Sequence, residues 1–254
     1  MGFKQEDFNR LVLDNKVLGL FEKKKVLKSK RESNWYVNWR VNDLFLMGQV
    51  ADHVVEFTKH LGIEADTFYG VPEGATRLAI LAQERWAKQS ENYGPGSHVV
   101  AMGRGKPKEH GAAKDKYFVG TPKGKVVILE DVTTTGGSLL NTISQLKELE
   151  GIEIIAAYGL TNRMEKTPIP GDDDEEVVAK FAKQYEAATG KAYEKEMSVA
   201  EAVKDAGVTY HALSSGAVLL PKAIELAKPS EEVIGEIKAE FEKYGIVPLE
   251  LGGE

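Results

Sequence analysis

The chain has 254 residues, 42% apolar and 28% charged, with a formal net charge of −6 and no cysteine. The lack of cysteine excludes disulfides, thiolate metal sites and a cysteine nucleophile, so any metal must be held by oxygen or imidazole. The acidic balance argues against a general nucleic-acid binder, no apolar run is long enough to span a bilayer, and the start MGFKQEDFNRLV has no signal pattern, so the expected location is the cytoplasm, with no membrane partner.

In chain order, residues 6 to 22 read as an amphipathic helix and turn, with Phe8, Leu11, Val12, Leu18 and Leu20 available to pack and Gly19 as the stop. Val26 and Leu27, then Trp35 to Trp39, read as two strands around the polar turn 29 to 34; taken alone, this is also what a surface hairpin with a half-buried aromatic face looks like. Asn42 is placed to cap a helix carrying Leu46, Val50, Val54, Phe57 and Leu61, ended by Gly62. Thr67 to Tyr69 form a strand, followed by the loop GVPEG and a helix with Ala75, Leu78, Ala79, Ala82 and Trp86. A loop at the carboxyl end of a parallel strand is where open α/β sheets bind ligands, although a tight turn also explains its glycines and proline.

Ser97 to Ala101 read as a further short strand, after which GRGKPKEHGAAKDK, residues 103 to 116, is basic and almost free of apolar residues. An acidic protein that binds a polyanionic phosphate must gather its cations in one place. Arg104, Lys106, Lys108, His110, Lys114 and Lys116 outnumber Glu109 and Asp115 here, and the glycines and Pro107 disfavour a stable helix, so a mobile loop is expected. Charge runs of this kind also make ordinary solvated loops.

The segment KVVILEDVTTTGGS, Lys125 to Ser138, organises the rest. Val126 to Leu129 read as a buried parallel strand, and Glu130 and Asp131 follow where it emerges. Thr133, Thr134, Thr135, Gly136, Gly137 and Ser138 then turn into a helix. Glycines let the backbone approach an anion, hydroxyls donate, and the first N–H groups of a helix are unpaired: this is a phosphate cradle. No lysine follows the glycines, which argues against an ordinary nucleotide loop. Two carboxylates beside an anion site suit a ligand that also presents vicinal hydroxyls, and a phosphorylated ribose has both parts. An acidic strand end with a helix cap would produce the same string.

Leu139, Leu140, Ile143, Leu146 and Leu149 then give a helix ending at Gly151, and Ile152 to Leu160 a buried strand closed by Asn162 and Arg163. Residues 167 to 197 differ in composition and look added on; the acids 172 to 176 suit the first turn of a helix better than a metal site. A helix from 198 to 206, a strand from 208 to 213 and two helices finish the chain, the last with Ile234, Ile237, Phe241 and Tyr244 on one face. The alternation of strands and helices makes a parallel α/β core the expected fold.

The central segment resembles the phosphoribosyl-diphosphate (PRPP) motif of type I phosphoribosyltransferases, and further stretches, in order, resemble orotate phosphoribosyltransferases. LKSKRESNWYVN looks like the family's early hairpin, GVPEGATRLA like its diphosphate loop, RGKPKEHG like its mobile catalytic loop, and LTNRMEK carries Arg163 at the place of its orotate-binding arginine. The sequence departs from the family at Val37, where a second aromatic is common, at Gly74 and Gly105, where lysines are common, and at Asn162, where an aspartate is usual. The resemblance implies one phosphoribosyltransferase domain: an N-terminal hood (1 to 41), a mainly parallel core flanked by helices (42 to 166), an insertion (167 to 197) and a C-terminal strand and helices (198 to 254). It implies transfer of a phosphoribosyl group from PRPP to orotate in pyrimidine biosynthesis, with another nucleobase as acceptor, or a PRPP-sensing regulator, as alternatives.

Residue by residue, the resemblance gives Lys108, Arg104, His110 and Asp131 catalytic roles. PRPP would be bound by Lys28, Glu73, Gly74, Gly105, Glu130, Val132, Thr133, Thr134, Thr135, Gly136, Gly137 and Ser138, and orotate by Tyr36, Val37, Thr134 and Arg163. Mg2+ would be carried by PRPP with no direct protein ligand. A homodimer is implied, with the loop 103 to 116 reaching the partner's site.

Overall fold

The structure, a computed structural model, describes residues 2 to 251. α1 (Gln5–Asp14) leads into an antiparallel hairpin, β1 (Leu18–Val26) and β2 (Glu32–Val37). There follow α2 (Leu44–His60), β3 (Thr67–Gly70), α3 (Thr76–Lys88), β4 (Met102–Gly103), α4 (Ala113–Tyr117), β5 (Phe118–Gly120), β6 (Gly124–Thr133) and α5 (Gly137–Lys147). The chain continues through β7 (Ile152–Asn162), α6 (Glu175–Thr189), α7 (Val199–Asp205), β8 (Tyr210–Ala212), α8 (Gly216–Ala227) and α9 (Glu231–Tyr244).

Four strands form one parallel sheet in the order β3-β6-β7-β8. Its central strands are apolar on both faces, as a sheet covered on both sides requires. Phe68, Val127, Leu129, Ala156 and Tyr158 face a core shared with α1, α2, α3, α8, α9 and the hairpin. Their chain neighbours Tyr69, Val126, Ile128 and Ala157 face a second core with α5, α6 and α7. Both β3 and β6 therefore end at one edge, where Val71 N–H still donates to Leu129 O at 2.8 Å. That edge carries the loops of interest.

Several local expectations are corrected. The first helix stops at Asp14, and Leu18, Gly19 and Leu20 belong to β1, paired with Val37, Tyr36 and Trp35. Partner strands decide such short apolar stretches, and no helical period can report them. Asp43, not Asn42, caps α2 by accepting from Leu46 N–H at 2.8 Å, and the helix from Gly137 ends at Lys147, before Gly151. Ser97 to Ala101 are not a strand of the sheet: Val100 is 62% exposed, and only Met102–Gly103 pairs, with β5, in a separate antiparallel ribbon. The strand read at 208 to 213 takes the fourth place as β8. The basic loop contains a short helix, α4, at its far end.

The segment 167 to 197 is firmly attached. Asp174 caps α6 by accepting from the Glu176 and Val177 N–H groups, and Gly190 ends it at φ 72°, a left-handed conformation that suits glycine. Phe181 and Tyr185 are buried against Tyr193 and the α5 side of the second core. On the other side, Lys30 of the hairpin turn pairs with Asp174 and Glu176, and Arg31 with Asp173. Among the described residues no helix is long and apolar enough to cross a membrane.

Candidate active site

The turn after β6 is shaped by what lies behind it. Gly136 has φ +81° and opens α5, whose first N–H groups have no partner within the helix. A Cβ on Gly136 would meet Val199 of α7 at 3.0 Å, and one on Gly137 would meet Gln184 and Phe181 of α6. Backbone lies where a side chain has no room, which leaves its N–H groups exposed to an anion. Thr134, Thr135, Gly136, Gly137 and Ser138 line a cavity together with Lys28, whose ammonium lies 3.4 Å from Ser138 Oγ.

A second cavity adjoins it, sharing Lys28, Glu130, Val132, Thr134 and Ser138. Tyr36, Val37, Trp39, Arg40, Glu73, Gly74, Asp131 and Arg163 are among the other residues that line it. Of the two carboxylates predicted to meet ribose hydroxyls, Glu130 lines both cavities and Asp131 the second, so the pair stands where the cradle meets the mixed cleft. Gly74 is explained by Asp131, whose carboxylate lies where a Cβ would be. Any larger residue at 74 would displace the acid.

Glu130 is 5% exposed. Burial, reinforced by the neighbouring Asp131 charge, pushes its carboxyl up to about 8, against the opposing pull of Lys28 and of a Thr133 hydrogen bond. Thr133 does not face the cavity: its hydroxyl donates to Glu130 Oε2 at 3.4 Å and accepts from Tyr210 OH at 2.9 Å. Tyr210 on β8 and Thr133 thus set the orientation of Glu130 from behind. Sequence reading missed Tyr210, since its partner is 77 residues away.

Arg163 borders the second cavity but is 1% exposed, and most of its guanidinium is committed elsewhere. Nε donates to Glu165 at 2.5 Å, Nη1 to Trp35 O at 3.2 Å, and Nη2 to both Ser33 Oγ at 3.0 Å and Glu240 at 2.7 Å. The plane lies 3.6 Å over the Trp35 ring. Of five N–H donors, one on Nη1 is left for a ligand. Asn162 serves the turn, its side-chain oxygen accepting from Met164 N–H at 2.8 Å.

The basic loop stands apart. Lys108 and His110 are exposed and line neither cavity. Arg104 N–H is tied to Tyr117 O at 2.8 Å and its Nε donates to Asp115 O at 3.3 Å. The base of the loop nevertheless rests on the 71 to 74 turn: a Cβ on Gly105 would strike Glu73, and one on Gly103 would strike Tyr69 and Pro72.

No family model matches the chain. Orotate phosphoribosyltransferase of Pyrococcus abyssi (strain GE5 / Orsay) is 30% identical over 165 residues, which are 63% of this chain and 82% of that protein. The protein of the same name from Bradyrhizobium diazoefficiens is 33% identical over 148 residues, 55% of this chain and 73% of that one. Among solved structures, the orotate phosphoribosyltransferase of Francisella tularensis superposes with a TM-score of 0.60 at 19% identity, covering 94% of this chain and 99% of that one. That of Aeropyrum pernix gives 0.58 at 20% identity, covering 88% and 99%. The structures speak for the fold and the relatives for the lineage: the chain belongs to the orotate phosphoribosyltransferase family.

Proposed function

We propose that the chain transfers the 5-phosphoribosyl group of PRPP to orotate, giving orotidine 5-monophosphate and diphosphate in pyrimidine biosynthesis. The observation that carries this reading is the acid pair Glu130–Asp131 standing between a phosphate cradle and a cleft lined by Tyr36, Val37 and Arg163. The 5-phosphate occupies the 134 to 138 turn, the ribose hydroxyls donate to Glu130 and Asp131, and orotate lies against Tyr36 with the free Arg163 N–H on one of its oxygens.

As the C1–O bond lengthens, positive charge grows on the ribose ring and negative charge on the departing diphosphate. The carboxylates at 130 and 131 lie near the first; donation from the ribose hydroxyls favours the ionised form of Glu130 and offsets the burial that holds its proton. Arg104, Lys108 and His110, brought over by the loop, stabilise the second and exclude water. Mg2+ would be carried by PRPP and would neutralise charge on the diphosphate, with Glu73 and Asp131 in the cleft placed to accept from its waters. The reading includes a cytoplasmic location and a homodimer in which the loop 103 to 116 serves the neighbouring site.

The test is the loss of orotate absorbance on mixing protein, orotate, PRPP and Mg2+, with uracil, hypoxanthine and adenine in parallel. Turnover of orotate alone is the expected result. PRPP-dependent conversion of another base would move the acceptor, as Val37 in an aromatic's usual place would then explain. PRPP binding without any turnover would make the chain a sensor.

A further inference from the structure

The insertion has a ligand-facing side. On α6, Val177, Lys180, Phe181 and Gln184 are spaced by three, one and three residues, so they share one helical face, and all four line the cradle cavity. Phe181 is buried and Gln184 half-buried, pressed on the backbone of Gly137. Lys180 is exposed at the cavity's rim. The other ion-paired lysines of this region face acids: Lys30 meets Asp174 and Glu176, and Lys191 meets Asp205 at 2.6 Å. Lys180 has no acid within ion-pair distance among the described residues.

Further positive charge borders the same cavity. Lys28, on the hairpin, borders the same cavity, and the unpaired N–H groups at the start of α5 add partial positive charge there. Glu130 is the one acid lining this cavity, and its carboxyl is buried. An acidic chain that places two lysines and a helix start around one small cavity has built a site for a multiply charged anion.

We propose that Lys180 of the inserted helix α6 is a binding residue for the 5-phosphate of PRPP, acting with Lys28 at the cradle. The inference rests on the function proposed above and gives the 167 to 197 segment a part in it. Lys180 touches no reacting atom, so its contribution is to affinity for the phosphoribosyl end of the substrate and not to the bond-breaking step.

The experiment measures binding of ribose 5-phosphate and of diphosphate separately, by calorimetry, for the wild type and for Lys180→Ala, Lys180→Arg and Lys183→Ala in the full chain. Lys183 is exposed on the same helix, does not line the cavity, and controls for loss of one charge. Lys180→Ala is expected to weaken ribose 5-phosphate by about tenfold, as for one charge-assisted hydrogen bond. The same change should raise the KM for PRPP while leaving diphosphate affinity and the KM for orotate unchanged, with recovery in Lys180→Arg. Unchanged ribose 5-phosphate affinity in Lys180→Ala, or an equal loss in Lys183→Ala, would overturn the assignment. Because ribose 5-phosphate binding needs no acceptor base, a wild type that binds it but turns over no orotate would refute the proposed function while leaving the lysine's role supported.

Discussion

Two charged regions lie a short way apart and are built on opposite rules. Beneath the hairpin, Arg31 and Arg163 meet Glu165, Asp173 and Glu240 in a cluster whose side chains are between 2% and 8% exposed, each cation closed on carboxylates. At the cradle, Lys28, Lys180 and the first N–H groups of α5 close on nothing comparable, and the exposed loop cations Lys108 and His110 stand outside both cavities. Charge that is satisfied within the chain fixes the hairpin, the β7 end, the insertion and α9 to one another; charge that is left open is available to a ligand. Arg163 belongs mostly to the first region and reaches the second with a single N–H, a rigid mount for the role proposed for it at the acceptor.

The comparison can be broken first at the cluster. Arg31→Ala leaves Asp173 buried without its cation and Glu165 with Arg163 alone, and loss of one partner of a buried pair costs about 3–5 kcal/mol. A fall in Tm of roughly 10 °C is expected, and a change within about 2 °C would show that the cluster is not what fastens the hairpin. At the open site the order reverses. Lys108→Ala should lower kcat by about 10²–10³-fold with the fold and PRPP affinity intact; unchanged turnover would remove the loop from the mechanism.

Glu130 and Glu240 sharpen the contrast through pH. Burial raises Glu130 to about 8, so between its ordinary value of 4.5 and that point the folded chain holds a proton that the unfolded chain has lost. Stability should therefore fall as pH rises through this window, and Glu130→Gln should remove that decline while abolishing most activity. Urea titrations from pH 4 to 9 read it; parallel curves for the two proteins would contradict the shift. Glu240 is pushed up to about 7 by burial, with Arg163 pulling the other way and Glu165 adding to the rise. The same sign applies between 4.5 and 7, and Glu240→Gln should flatten that part of the curve.

Legibility in the sequence followed locality. The run from Lys125 to Ser138 carries strand, acids and cradle within one string, although the strand read as Val126 to Leu129 runs on to Thr133, so that Glu130 and Asp131 lie within it and the cradle begins at Thr134. Lys28 at the cradle and Tyr36 in the adjoining cleft were legible through resemblance alone, because nothing local says where a hairpin turn will dock. The buried cluster was not legible: Arg31 finds Glu165 and Asp173 across 134 and 142 residues, and its sequence neighbourhood reads as a polar turn. The amphipathic pattern of α6 was visible, but periodicity tells which residues share a face and not which neighbour that face meets. The reading of Ser97 to Ala101 as a strand failed for the same reason, since a strand exists only with a partner.

The central claim is that the open charges of the cleft are arranged for PRPP in one orientation. A crystal structure with PRPP and Mg2+ bound tests it most directly. The 5-phosphate should lie within hydrogen-bond reach of the 134 to 138 N–H groups, between Lys28 and Lys180, with both ribose hydroxyls on Glu130 and Asp131. Diphosphate in the cradle, or a ribose turned away from the acid pair, would contradict the account.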